Sequence, residues 1–411
     1  MSATGTVPAE GGFRLSQLIY DTRYRGMTIQ IVALALLMLS FGWLINNAIL
    51  QFAALGKDFS FAFMWSTAGY DVNQRLLEYT SQSTHGRAAV MGILNTLVLA
   101  VVGCATATVL GVLAGVARLS KNWIVAKLMT VYVEGFRNVP VLLWILIVGA
   151  CVDEFLPTPR DFRGVETGAF VLTNRGFYLP EILFSNGLGN IDLSLFKVSL
   201  DFVAFLVLLA GGLYVSRRIG KMADAKQAAT GDRPQVIYYR LAVVFLPIIA
   251  LWYATGFHFQ YAELSGFNFK NGTFIRGSFI ALWVALSLYT GAFIAEAVRA
   301  GIQSVSKGQT EAAFALGVRP NKTMSLVILP QALRVIVPPL ISQYLNLTKN
   351  SSLAIAVGYM DATGTLGGIT LNQTGREMET LMLLMAFYLV VSLSISFVMN
   401  VYNERTKLKE R

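Results

Sequence analysis

The sequence is short of charge, of histidine and of cysteine, and each shortage removes a class of protein. Only 14% of its 411 residues are charged, against roughly 25% in soluble domains, so a water-bathed globular surface is excluded. The two histidines, His85 and His258, have no partners at metal-ligand spacing and read as ordinary interfacial residues. They offer neither a metal centre nor the convergent set of a membrane-embedded enzyme. The two cysteines, Cys104 and Cys151, form no C-x-x-C pair and no disulfide framework. A phosphate-cradling G-x-x-x-x-G-K-[S/T] loop is missing too. Gly56-Lys57-Asp58 and Gly220-Lys221-Met222 lack both the hydroxyl and a correctly spaced upstream glycine. The chain is therefore expected to be no enzyme in itself and to bind no cofactor or metal.

What the sequence has instead is long apolar runs. Hydrophobic residues make up 55% of it and the mean hydropathy is +0.57. No charged residue stands between Arg25 and Lys57, Arg87 and Arg118, Arg240 and Glu263, or Glu379 and Glu404. A helix needs about 20 mostly apolar residues to cross a bilayer, so these runs read as spans. About eight are expected on that criterion, over 27–50, 88–117, 126–150, 198–216, 241–260, 277–299, 326–347 and 379–402. The first exceeds the ~7–15 apolar residues of a signal peptide and is read as a retained span. The fold class is thus all-α, a polytopic integral membrane protein.

The net charge of +10 points to an anionic membrane surface, with no nucleic-acid role, because the basic residues sit at span ends. Arg14, Arg23 and Arg25, then Arg118, Lys121 and Lys127, then Arg217, Arg218, Lys221 and Lys226, and finally Arg405, Lys407, Lys409 and Arg411 all fall inside if both termini are cytoplasmic. The longer outer segments, near 51–87 and 151–197, are poorer in Lys and Arg for their length and carry turn formers such as Pro157, Pro159 and Asn186. The inner segment opening at Arg217 reads as a short helix followed by a loop.

Several spans carry charge or proline. The third holds Glu134, Arg137 and Pro140, and the seventh holds Arg334 and Pro338-Pro339. Proline removes a backbone donor, and broken helices at membrane depth often line a transport path. Arg137 either meets a substrate carboxylate, gates the path, or is neutralised by Glu134 at i,i+3 spacing. Glu296 and Arg299 share that spacing and read as a structural pair.

Between the sixth and seventh spans, Gln309 to Leu316 reads as a two-turn helix with Glu311 in its first turn, where a negative charge suits the positive helix end. Gly317 supplies a left-handed terminator and Pro320 prevents continuation. Ala312, Ala313 and Ala315 offer a surface that another backbone can approach closely. Such a helix is too short to persist alone and must be held by its surroundings.

Glu311-Ala312-Ala313, then Gly317, then Leu329-Pro330, resembles the EAA loop of ABC importer permeases in spacing and order, with Val327 where that pattern usually has isoleucine. Gly92-x-x-Asn95-Thr96-Leu97, Tyr132-x-x-x-x-Arg137-Asn138-x-Pro140, Ala295-Glu296-x-x-Arg299-x-Gly301-Ile302 and Asn346-x-x-Lys349-x-Ser351-Ser352-Leu353 are similar to segments of the polar amino-acid (histidine/glutamine-type) permeases. The long form resembles the general L-amino-acid permease subunits of Gram-negative bacteria.

The resemblance implies five spans forming a type I importer core. On that reading 1–87 holds the cytoplasmic N-terminus, first span and outer loop, and 88–150 is the first core part. Residues 151–276 are an insertion with two extra spans, 277–405 is the second core part with the coupling loop 308–330, and 406–411 is a cytoplasmic tail. It implies an ATP-driven importer of polar or general L-amino acids in the bacterial inner membrane, with coupling residues Glu311, Ala312, Ala313, Gly317, Leu329 and Pro330. Arg137, Pro140, Asn346, Lys349 and Asp361 become candidates for the substrate path. The implied partners are two ATPase subunits that carry ATP and magnesium, a second related permease (a heterodimer before a homodimer), a periplasmic amino-acid-binding protein and membrane lipid. Another small polar solute, or transport driven by an ion gradient, is the rival reading.

Overall fold

The computed structural model describes residues 17–54, 56, 58–165, 168–192 and 197–406. Arg14, Lys407, Lys409, Arg411 and the expected tail beyond Thr406 lie outside them. The chain divides into two units, Met1–Phe61 and Ala62–Arg411. In the first, α1 (Gln17–Tyr20) precedes α2 (Thr22–Ala54). The apolar side chains of α2 are exposed along its length, Leu39 and Trp43 among them. That pattern suits a helix whose solvent is hydrocarbon.

The second unit begins with α3 (His85–Ala117), α4 (Trp123–Asn138) and α5 (Val141–Phe155). The expected third span is therefore two helices. They part at Val139 and Pro140, whose backbones are extended (ψ 135° and 136°), as the residue before a proline prefers. Five short strands follow, β1 (Val171–Thr173), β2 (Gly176–Leu179), β3 (Glu181–Phe184), β4 (Asn190–Asp192) and β5 (Lys197–Ser199). Next come α6 (Leu200–Thr230) and α7 (Ile237–Thr255), then β6 (Phe257–Gln260), β7 (Glu263–Ser265), β8 (Asn268–Lys270) and β9 (Thr273–Arg276). Finally α8 (Gly277–Gln303), α9 (Lys307–Ala315), α10 (Pro320–Thr323), α11 (Leu329–Asn350), α12 (Leu371–Thr374) and α13 (Glu377–Thr406) complete the chain.

Among the described residues eight helical segments are long and apolar enough to span a membrane. Seven of them overlie expected spans, whereas the third is Val141–Phe162 and the expected 126–150 takes in α4 and only the first part of it. Three further differences follow. The segment after Arg217 does not form a separate short helix: α6 runs unbroken to Thr230 and ends where Gly231 turns left-handed (φ 79°). The pair Pro338-Pro339 does not interrupt the seventh span, because α11 passes through both; the irregularity sits earlier, in a π-type turn at Met324–Ile328. The outer segments are strands as well as turns.

The bundle is organised by α3 and α8, which run parallel. Thr106 lies beside Ser287, Gly111 beside Gly291 and Ile294, and Gly115 beside Ala295 and Val298. Small residues make this approach possible. A Cβ on Gly111 would stand 2.5 Å from the Ile294 Cβ, and one on Gly115 would stand 2.6 Å from the Ala295 carbonyl oxygen. In hydrocarbon there is no hydrophobic drive between helices, so close backbone packing and buried hydrogen bonds hold them. Thr106 and Ser287 hydroxyls meet at 2.6 Å and Trp283 Nε1 donates to Thr106 Oγ1 at 3.0 Å. The antiparallel α11 closes the group, with Gly301 under Ile336, Tyr344 hydroxyl 2.7 Å from Thr108, and Leu347 against Gly103.

The strands form a small cap. Order β1-β2-β9 makes one antiparallel sheet, with Phe177 opposite Ile275, while β3 pairs β6, β4 pairs β5 and β7 pairs β8. Val171, Tyr178, Ala262 and Phe269 are its buried centre. Strand β9 runs straight into α8 at Gly277, whereas α9 follows the other end of α8 after Gln303. A 27-residue helix is about 40 Å long at 1.5 Å per residue. The strand cap and α9 therefore occupy opposite ends of the bundle.

Candidate functional site

The helix expected over Gln309–Leu316 starts two residues earlier, at Lys307, with Ser306 as its N-cap residue. Glu311 is consequently its fifth residue and lies beyond the first turn. Its C-terminus closes as the sequence suggests. Gly317 has φ 73°, its N–H donates to the Phe314 carbonyl (2.9 Å), and the Val318 N–H donates to the Ala313 carbonyl (3.0 Å). This pair of bonds is a Schellman closure, which needs a left-handed residue that glycine supplies without strain. Pro320 does more than stop the chain, since it opens α10.

One face of α9 is held and the other is free. Ala313 is buried, and Gln331 Nε2 of α11 approaches Gln309 Oε1 at 3.4 Å. Glu311, Ala312 and Gly317 are exposed, as is Leu329, while Pro330 is half-buried. Leu316 is 82% exposed, with Phe314, Met324 and Leu326 also open beside it. Exposed apolar surface beside an acidic side chain is a common feature of sites where proteins meet. Neither Phe314 nor Leu316 was singled out from sequence. Their position against a helix-ending glycine is the signal that could have found them.

Near the end of α8 that leads to α9, the two i,i+3 pairs of the sequence are one network. Arg118, just past the end of α3, donates from Nη1 to Glu296 Oε2 at 2.5 Å and reaches Glu134 at 3.6 Å. Arg299 Nη2 meets Glu296 Oε1 at 2.5 Å. Arg137 stands 3.9 Å from Glu134 and 3.8 Å from Glu296, too far for a hydrogen bond to either, and packs over the Phe293 ring at 5.4 Å. Its Nε is buried and has no hydrogen-bond partner. Three guanidiniums thus face two carboxylates, and Arg137 is the least engaged. Arg118 is the joint that sequence reasoning missed, having been read only as part of a basic flank.

The remaining path candidates divide. Asn346 and Lys349 are exposed on the last turns of α11, whereas Asp361 is wholly buried between the seventh and eighth spans. Asp361 Oδ1 accepts from the Gly364 N–H (2.8 Å) and Oδ2 from the Tyr388 hydroxyl (3.3 Å), so it caps the turns that follow. Burial raises its pKa to about 6, against the lowering effect of those hydrogen bonds. The Asn95-Thr96 motif meets the same segment. Asn95 Nδ2 donates to the carbonyls of Gln74 (2.9 Å) and Met360 (2.8 Å), and Thr96 Oγ1 accepts from the Ala362 N–H (3.0 Å). The structure brings Asp361 to Asn95 and Thr96 rather than to Lys349. His85, expected at an interface, is buried at the start of α3 with Nδ1 3.2 Å from the Thr370 hydroxyl, while His258 is exposed.

Comparison with known proteins gives this arrangement its context. Residues 233–408 match the family described as binding-protein-dependent transport system inner membrane component. The chain is 54% identical, over all of both chains, to the glutamate/glutamine/aspartate/asparagine transport system permease protein BztB of Rhodobacter capsulatus. It is 40% identical to the general L-amino acid transport system permease protein AapQ of Rhizobium johnstonii, over all of this chain and 99% of that one. A putative amino-acid ABC transporter permease, YhdX of Escherichia coli, is 40% identical over 94% of this chain and 95% of its own length. Among solved structures, one titled as an amino acid ABC transporter with histidines aligns at a TM-score of 0.43 and 18% identity, covering 78% of this chain and 95% of that one.

Proposed function

The chain belongs to the amino-acid ABC transporter permeases, and from that premise we propose that it carries polar L-amino acids and takes its driving force through α9. It is the membrane subunit of an ABC importer and not itself the ATPase. The observation that carries the proposal is the anchored, Schellman-closed α9, with Glu311 and the apolar Phe314 and Leu316 facing outward at one bundle end.

On this reading α9 seats in a soluble ATPase subunit, which supplies ATP and magnesium. Ala312 and Ala313 allow close approach, Gly317 sets the exit angle, and Leu329-Pro330 starts the span that receives the motion. Two such ATPases act on a pair of permeases, this chain and a related one, in the inner membrane with both termini cytoplasmic. The α9 end is then inside and the strand cap outside, where a soluble amino-acid-binding protein delivers cargo. Residues 88–150 and 277–405 form the translocating core, and 151–276 is an insertion in it. The substrate path runs past Arg137, whose loose pairing leaves it able to meet a carboxylate beside the Pro140 break. It continues past the exposed Asn346 and Lys349, with Asp361 shaping the segment beyond. The relatives named for acidic and amide amino acids, and for general L-amino acids, favour that cargo class.

The experiment is Glu311→Lys in the reconstituted transporter, followed by ATP-dependent uptake of radiolabelled L-glutamate. Reversing the charge on the exposed face should reduce uptake to background while insertion stays normal. Full uptake by a well-inserted variant would overturn the docking role. Uptake that persists without the ATPase subunits and collapses with an ionophore would overturn the mechanism.

A further inference from the structure

The strand cap holds a group of cations with no ion-paired carboxylate among the described residues. Arg160 and Arg163 come from the turn after α5, and Arg175 from the β1–β2 turn. All three converge on the tip of the β7–β8 hairpin. Arg160 and Arg163 stand over the Phe267 ring at 5.1 Å and 5.5 Å, Arg163 Nη2 donates to the Gly266 carbonyl (3.4 Å), and Arg175 Nη1 donates to the Phe267 carbonyl (3.3 Å). Phe267 is 62% exposed, and the three arginines are exposed with it. None has a carboxylate within ion-pair distance among the described residues. The nearest in sequence, Asp161, is occupied by the Thr158 N–H and hydroxyl (2.7 Å and 3.0 Å). Glu263 stands opposite Lys270 across the hairpin.

Like charges gathered at one hairpin tip repel, and ring and carbonyl contacts offset that only in part. A surface that pre-assembles such a cluster is complete only when an anionic partner covers it. Arginine and phenylalanine are also the side chains that protein interfaces favour, with exposed charge setting orientation and encounter rate. The patch is at the end opposite α9. Resting on the reading above, in which that end is external, we propose that Arg160, Arg163, Arg175 and Phe267 form the docking surface for an acidic face of the amino-acid-binding protein that loads this permease. The guanidiniums are already ordered by ring and backbone, so little side-chain freedom is lost on docking. That pre-organisation favours a folded protein over lipid headgroups, which need no fixed geometry.

The test uses the complete transporter in nanodiscs of zwitterionic lipid and its purified amino-acid-binding protein, with Kd measured by interferometry at several salt concentrations. Arg160→Gln/Arg163→Gln/Arg175→Gln should weaken binding by about a hundredfold and flatten its salt dependence, and Phe267→Ala by about tenfold. Basal ATPase activity and thermal stability of the same variants check that the cap stays folded; Arg160→Lys/Arg163→Lys/Arg175→Lys should recover most of the salt dependence. Unchanged Kd in a folded triple variant, while the binding protein still stimulates the wild type, overturns the docking surface and leaves the transport reading standing. If the variants instead lose only attachment to phosphatidylglycerol vesicles, the patch is a lipid site and the proposal is wrong. A wild-type transporter neither bound nor stimulated by the binding protein overturns both.

Discussion

The α3–α8 pair and the α6–α7 pair are made of similar apolar residues, yet they are built differently. In α3 and α8 the glycines are interfacial, and a Cβ at Gly111 or Gly115 would run into the backbone or branched side chains of α8. In α6, a Cβ on Gly211 would meet nothing within 4 Å, and one on Gly212 would lie 3.0 Å from the Val243 carbonyl and the Val244 Cα. The first pair also shares buried hydroxyls, whereas the second is joined by one longer bond, from Arg240 Nε to Ser216 Oγ (3.2 Å). Hydropathy marks both pairs as spans, but only the placement of small and polar residues separates a helix that faces helices from one that faces lipid.

That contrast can be broken on purpose. The largest effect is expected from Gly111→Val, because the added atoms meet the Ile294 Cβ and the Gly291 carbonyl and neither can yield without moving a helix. A loss of about 3 kcal/mol is expected, read as a fall in the thermal inactivation midpoint together with lost uptake. Next is Arg118→Met, which strips Glu296 of one short bond and leaves Glu134 with only its weaker contact to Arg137. It should lower stability by about 2 kcal/mol. Adding Glu296→Gln to that variant should return part of the loss, and a strictly additive double mutant would dissolve the network into independent pairs. In the inserted pair Gly212→Ala should cost about 1 kcal/mol or less. Gly211→Ala should be neutral or stabilise by about 0.5 kcal/mol, since the helix gains a better former and meets no neighbour. A cost at Gly211 equal to that at Gly111 would mean that α6 has an unseen partner.

The charge network and the strand-cap patch make a second contrast. At the α9 end three arginines face two carboxylates, so the group joins α3, α4 and α8. At the cap the same number of arginines is exposed and has no carboxylate within ion-pair distance among the described residues. The first arrangement holds helices together, and the second is the surface proposed above for docking.

The spans were legible because a bilayer imposes a length, about 20 apolar residues, that any window along the chain detects. The short helix before Gly317 was legible because its stop signals are local. The nine strands among the described residues were not, since each has only three or four residues, and β2 and β3 find their partners β9 and β6 beyond two intervening spans. Glu134 with Arg137 and Glu296 with Arg299 could be read as pairs from their spacing. That Arg118 binds both could not, because its partners lie on other helices.

Composition and spacing were thus enough to say that this chain crosses a membrane and that a short glycine-terminated helix lies between its sixth and seventh spans, for both follow from properties of neighbouring residues. Packing alone settled that α3 and α8 run parallel through their glycines, that two ion pairs are one network, and that the strand-cap turns gather three arginines at Phe267. Those facts depend on which distant residues meet, and meeting is decided by shape and by the need to satisfy buried polar groups, which no local window of sequence contains.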